Sequence, residues 1–145
     1  MVINWAEIDA DIQRRIQQTV KDTKNKAKSC AVRASNVLRN SALNVLRGQR
    51  SGRQYKKPGT KATYTASAPG EPPAVRTGML RMSWGLSATG SGDGTYTAGI
   101  YTDVPYAQLL DEGTPGGKIA PRPYKEKIIE QSRPQIIQIF SELEK

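Results

Sequence analysis

Apolar residues recur at helical spacing through the first third of the chain. Ile8, Ile12, Ile16, Val20, Ala27, Ala31, Ala34, Val37 and Val45 fall within about one 160° arc at 100° per residue. Asn4-Trp5-Ala6-Glu7 opens this stripe as a capping box, in which Asn4 accepts from the amide of Glu7 and Glu7 reaches back. Glu7, Asp9 and Asp11 occupy the first two turns, where the helix dipole favours acids. Gly48 is placed as a C-cap. The pattern predicts one helix of up to about 40 residues, or two helices broken near 22–25, where polar residues interrupt the stripe. A helix this long in a chain of 145 residues leaves stripe to cover, and a neighbouring subunit could cover part of it.

The period then changes. Ser51–Lys57 and Lys61–Ala66 read as two strands around the turn dipeptide Pro58-Gly59, with Tyr55 and Tyr64 on one face of an extended hairpin arm. Leu80–Ala88 alternates, with Leu80, Met82, Trp84 and Leu86 on one side, and predicts a half-buried strand. Thr95–Tyr101 predicts its hairpin partner across the glycine-rich linker 89–94. That linker is G-x-G-x-G and leads into a strand, so it does not read as a phosphate loop. A short helix is expected over Tyr106–Asp111, ending near Gly113, with Tyr106, Leu109 and Leu110 as its apolar face. Pro123 suits the first position of a final helix. Tyr124, Ile128, Ile136, Phe140 and Leu143 form its buried face, Pro134 should kink or restart it, and SELEK is its solvated end.

Between arm and sheet lies Ser67–Gly78, which holds Pro69, Pro72 and Pro73. These fix φ and remove backbone donors, while Ala68, Glu71 and Pro72 each precede a proline and are pushed away from helix. A stiff connector is expected, with a turn at Arg76-Thr77-Gly78. The predicted architecture is a single α+β domain over residues 1–145. Residues 1–48 are helical, 49–102 hold the strands and the Pro-rich connector, and 103–145 hold the short helix, a loop and the C-terminal helix. The two long helices pack on one antiparallel sheet of about four strands.

Charge adds a second pattern. The chain carries +9, and residues 1–61 hold fourteen Lys/Arg against four acids, leaving the rest near neutral with eight bases and nine acids. Arg14, Lys21, Lys28, Arg39 and Arg50 lie within about 20° of one line opposite the apolar stripe. That ridge is either a solvated face or a surface for a polyanion or an acidic protein. No aromatic residues interleave with it, so contact would be with phosphates and not with bases.

Catalytic chemistry finds few candidates. There is no histidine, which removes the commonest general base and metal ligand, and one cysteine cannot build a zinc site. Cys30 excludes an internal disulfide, fits a reducing compartment and reads as a small buried filler. Asp111 and Glu112 are adjacent and would diverge on a helix, so they predict solvated or intersubunit salt bridges and not a paired-carboxylate or metal site. No apolar run is long enough to span a membrane, and MVINWAEID lacks the basic flank and apolar run of a leader. Neither an enzyme nor a cofactor is expected.

Ser67-Ala-Pro-Gly-Glu-Pro-Pro-Ala74 with Thr77-Gly-Met-Leu80 and Ser83, then Val104-Pro-Tyr106 with Leu110-Asp-Glu-Gly-Thr114, then Ala120-Pro-Arg-Pro-Tyr124, follow one another in order. Together these blocks, within residues 51–130, resemble the neck and tail-completion (head–tail joining) proteins of long-tailed bacteriophages. Arg76 stands where those proteins usually carry an acid. The resemblance implies a virion protein, made in the host cytoplasm, that forms a ring between capsid and tail and lets the genome through. It also implies a head-closure or connector protein and a tail terminator as partners, with possible contact to genomic DNA. On this reading Ser67, Pro69, Gly70, Glu71, Pro72, Pro73, Thr77 and Gly78 form an intersubunit connector, and Asp111, Glu112, Gly113, Arg122 and Pro123 an interface loop. The alternatives are a free, non-sequence-specific nucleic-acid-binding module, and, more remotely, an enzyme.

Overall fold

The computed structural model describes residue 2 and residues 4–144. Its longest element is one helix, α1 (Trp5–Val45), which runs 41 residues through the polar stretch at 22–25 without a break. The Asn4 side chain accepts from the Glu7 amide at 3.4 Å, as the capping box requires. The far end differs from expectation. The helix closes on Leu46 in right-handed geometry, and Gly48 has no positive φ. Arg50 does the capping instead: its guanidinium donates to the carbonyls of Val45 at 2.9 Å, Gly48 at 2.7 Å and Gln49 at 3.0 Å. The bond to Val45 satisfies an orphan helix carbonyl that a left-handed glycine would otherwise help to pair, and the other two fix the chain just past the helix.

Two antiparallel hairpins follow the helix, so the four strands are divided between two small sheets. In the first, β1 (Gln54–Lys56) pairs with β2 (Thr63–Thr65), and Tyr55 opposes Tyr64 with ring centroids 6.0 Å apart. In the second, β3 (Gly85–Gly90) pairs with β4 (Tyr96–Tyr101) in register from Gly85 opposite Tyr101 to Gly90 opposite Tyr96. The strand predicted from Leu80 therefore starts five residues late. Met79–Met82 forms a single helical turn, α2, because Gly78 adopts φ 81° and the Thr77 hydroxyl accepts from the Met79 amide at 3.3 Å. A side chain at Gly78 would be strained there. The alternation consequently fails: Leu80 and Trp84 are buried, while Met82 and Leu86 are exposed.

Two further helices complete the chain, α3 (Ala107–Glu112) and α4 (Lys125–Ser141), with a 3₁₀ turn at Glu142–Glu144. In α3 the buried residue is Ala107, with Leu110 packed beside the core, while Tyr106 and Leu109 face outward. Pro123 precedes the N-cap Tyr124 and so misses the first helical position by two residues. Pro134 lies inside α4, which continues through it as one element. Tyr124 and Ile128 supply its buried face together with Ser132, while Leu143 is exposed, and Lys145 of the SELEK end lies outside the described residues.

The second half of α1 packs on α4 and across β3 and β4. Small residues make that approach close: Cys30, Ala31, Ala34 and Ser35 are fully buried. Ser35 Oγ lies 2.9 Å from the Ser87 carbonyl and 3.0 Å from that of Ala31, and it accepts from the Gly99 amide at 3.2 Å. A core of Ala42, Leu46, Leu80, Trp84, Val104, Ala107, Tyr124 and Ile128 seals the lower end, with Trp84 edge-on to Tyr124 at 6.1 Å. At 1.5 Å per residue α1 is about 60 Å long and α4 about 25 Å. The partner elements cannot cover α1, and its first half overhangs the body.

Candidate interaction surfaces

The connector lies on its own subunit, fastened by one carboxylate. Glu71 accepts from the amides of Ser51 at 3.0 Å and Ala68 at 2.8 Å, and from the Ser51 hydroxyl. Those bonds, the Ser51 hydroxyl first, hold its pKa down at about 2. Arg50 donates to the Pro73 carbonyl through Nε at 3.3 Å and Nη2 at 3.1 Å, and Lys127 Nζ reaches the Gly70 carbonyl at 3.1 Å. Pro72 and Pro73 are buried, Ser67 and Gly78 are half-buried, and Pro69, Gly70 and Thr77 are exposed. Stiffness from the prolines is thus used first to lay the strap along the body.

The interface-loop residues divide by role. Asp111, at 14% side-chain exposure, accepts from the backbone amides of Tyr124 at 2.9 Å and Lys125 at 3.1 Å, and pairs with Lys125 Nζ at 3.4 Å. It therefore caps α4 from α3, a role hidden by thirteen intervening residues. Glu112 is exposed, paired to Gln108 and, at 3.7 Å, to Lys125. Gly113 has φ 78°, and an added Cβ would lie 2.7 Å from the Ile119 carbonyl, so a tight loop needs glycine at that point. Pro123 is half-buried. The Arg122 amide donates to the Leu110 carbonyl at 2.7 Å, and its Nη1 is buried with no hydrogen-bond partner among the described residues.

Arg122 points to a feature that the periodicity did not. An open groove of about 760 Å³ runs between the first hairpin, the connector and α3. Leu46, Val75, Leu80, Leu110 and Ile119 give it an apolar floor. Its charged lining residues are Lys57, Arg76, Arg81 and Arg122, with no acid among them. All three blocks of the phage resemblance contribute: Ser67, Pro73 and Thr77–Leu80 from the first, Tyr106 and Leu110 from the second, Arg122 from the third.

The basic ridge is shorter than the helical wheel implies. Arg14, Lys21 and Lys28 are exposed along the overhang. Arg39 turns inward and donates to the Trp84 carbonyl at 3.0 Å, and Arg50 lies past the helix end, bonded to backbone carbonyls. Opposite the remaining bases, the apolar stripe is uncovered: Trp5 is 72% exposed, Ile12 48%, and Ile8, Ile16 and Val20 are similar.

Scans against protein-family models, curated proteins and solved structures each found nothing that matches this chain. No helix among the described residues is long and apolar enough to cross a membrane. Among the same residues no group of three or more Cys, Asp or Glu is placed to hold a metal ion. Residues that sequence reasoning missed are mainly polar joints: Ser35 between helix and sheet, and the Tyr124 hydroxyl, which donates to the Ala107 carbonyl at 2.8 Å. Only the small residues Cys30, Ala31, Ala34 and Ser35, which share a helix face, carried a signal for the first.

Proposed function

We propose that this chain is a structural subunit of the neck of a tailed phage. Identical copies close into a ring that joins the capsid connector to the tail and leaves a passage for the genome. The observation that carries this reading is the convergence of the three separated blocks on one groove. Ser67 and Pro73–Leu80, Tyr106 and Leu110, and Arg122 all line it, although they are far apart in the chain. The uncovered apolar stripe at the other end of α1 supports it, since a rotationally closing ring needs two different surfaces on every copy. A head-closure or connector protein and a tail terminator are the partners of such a ring. The role is structural and not catalytic.

The test is complementation. Heads and tails from a phage lacking this chain should remain apart, and adding the purified protein should restore joined, infectious particles. Joining in its absence would refute the proposal. The exposed bases Arg14, Lys21 and Lys28 favour a second reading, a phosphate-binding module. Tight DNA binding by the isolated monomer, weakening steeply with salt, would support that reading instead.

A further inference from the structure

Two surfaces of this molecule lack a partner, and they are complementary. The first is the overhanging start of α1. Trp5, Ile8 and Ile12 are exposed there beside Glu7 and Asp9, with Asp11 paired to Arg15 at 2.8 Å, so this tip is apolar and acidic, although the helix beyond it is basic. The second is the groove at the other end of the same helix, beside Leu46, with an apolar floor, four cationic side chains and no acid. Arg122 Nη1 is buried beside it without an acceptor among the described residues, a costly condition that an incoming carboxylate would relieve.

We propose that the groove is a socket for the N-terminal tip of α1 from a second copy of this chain. The inference rests on the ring reading above and specifies its contact. Several observations choose this occupant. The tip cannot fold back into its own socket, because one unbroken helix of about 60 Å separates them. Parallel pairing of two arms through the stripe would bring the flanking Lys24 and Lys26 towards their equivalents, and like charges repel. Insertion of the tip instead sets Glu7 and Asp9 against Lys57, Arg76, Arg81 and Arg122, while Trp5, Ile8 and Ile12 meet the apolar floor. Each copy then gives a plug and receives one, the arrangement that propagates round a ring.

Two variants separate the halves of the contact. Glu7→Lys with Ile8→Ser and Ile12→Ser disables the plug, and Arg76→Glu with Met79→Ser disables the socket. All five positions are exposed, so both proteins should fold, as circular dichroism would show. Light scattering should find the unmodified protein oligomeric and each variant monomeric. An equimolar mixture should give one-to-one dimers, because it restores one intact plug and one intact socket. Assembly of either variant like the unmodified protein would overturn the contact. So would a mixture that stays monomeric, or an unmodified protein that never self-associates. Complementation by the unmodified protein is scored separately, so this contact can fail while the neck assignment stands, and the reverse.

Discussion

Replacing Asp111 by Ala should destabilise the fold far more than replacing its neighbour Glu112. Asp111 accepts two backbone amides at the start of α4, at 2.9 and 3.1 Å, from a largely buried position. Loss of an N-cap acceptor costs about 1 kcal/mol. Leaving the part-buried Tyr124 amide without an acceptor adds about 1 kcal/mol. The sum, about 2 kcal/mol, corresponds to about 7 °C in Tm for a domain of this size. Asp111→Asn keeps an acceptor but loses the charge at the helix terminus and should cost about 1 kcal/mol or less. Glu112 makes only exposed contacts, so Glu112→Ala should stay within about 0.5 kcal/mol of the parent. Urea unfolding of the three variants, read by circular dichroism at constant m-value, measures this order. Equal effects at 111 and 112, or an Asp111→Ala protein as stable as the parent, would refute the capping role.

The Tyr124 hydroxyl is held by burial, and secondarily by Asp111, at a pKa pushed up to about 12. A raised folded-state value means that this contribution is intact below about pH 10, the ordinary tyrosine value, and is lost as pH rises towards 12. Tyr124→Phe should cost about 1 kcal/mol at neutral pH and flatten the alkaline limb of the stability profile, and an unchanged limb would contradict this. Glu71, held at about 2, gives the opposite sign: its contribution is full above about pH 4.5 and is lost as pH falls towards 2. A carboxyl NMR titration should find its midpoint near 2, whereas a midpoint at 4 or above would show that the connector is not fastened there. Arg50→Ala removes donors to both Val45 and Pro73 and should cost about 2 kcal/mol with faster proteolysis at 67–78; an unaltered cleavage pattern would count against the link.

Much of the fold was legible because periodicity reports burial. The 3.6-residue stripe located α1, and the paired tyrosines located the first hairpin. Where the reading failed, something non-local or a single dihedral decided. Alternation through Leu80–Leu86 imitated a strand, but Gly78 and Thr77 start a helical turn that breaks it. Gly48 looked like the cap, yet an arginine two residues on reached back to do that work. The five-base ridge assumed an ideal wheel to residue 50, whereas the helix ends at Val45 and Arg39 is drawn to a carbonyl on the sheet side. The acidic pair at 111–112 reads as uniform charge in sequence, and only the fold of 114–123 brings one of the two under α4. The groove itself has no local pattern, since its wall residues come from four segments.

The arrangement of this chain inside an assembled particle tests the central claim most directly. Electron cryo-microscopy of the neck should show a closed ring of identical copies, each with the first turns of its long helix seated beside Arg122 of the next. Density for a single copy touching no sister copy would contradict the ring, and α1 tips left in solvent with the grooves empty would contradict the contact within it.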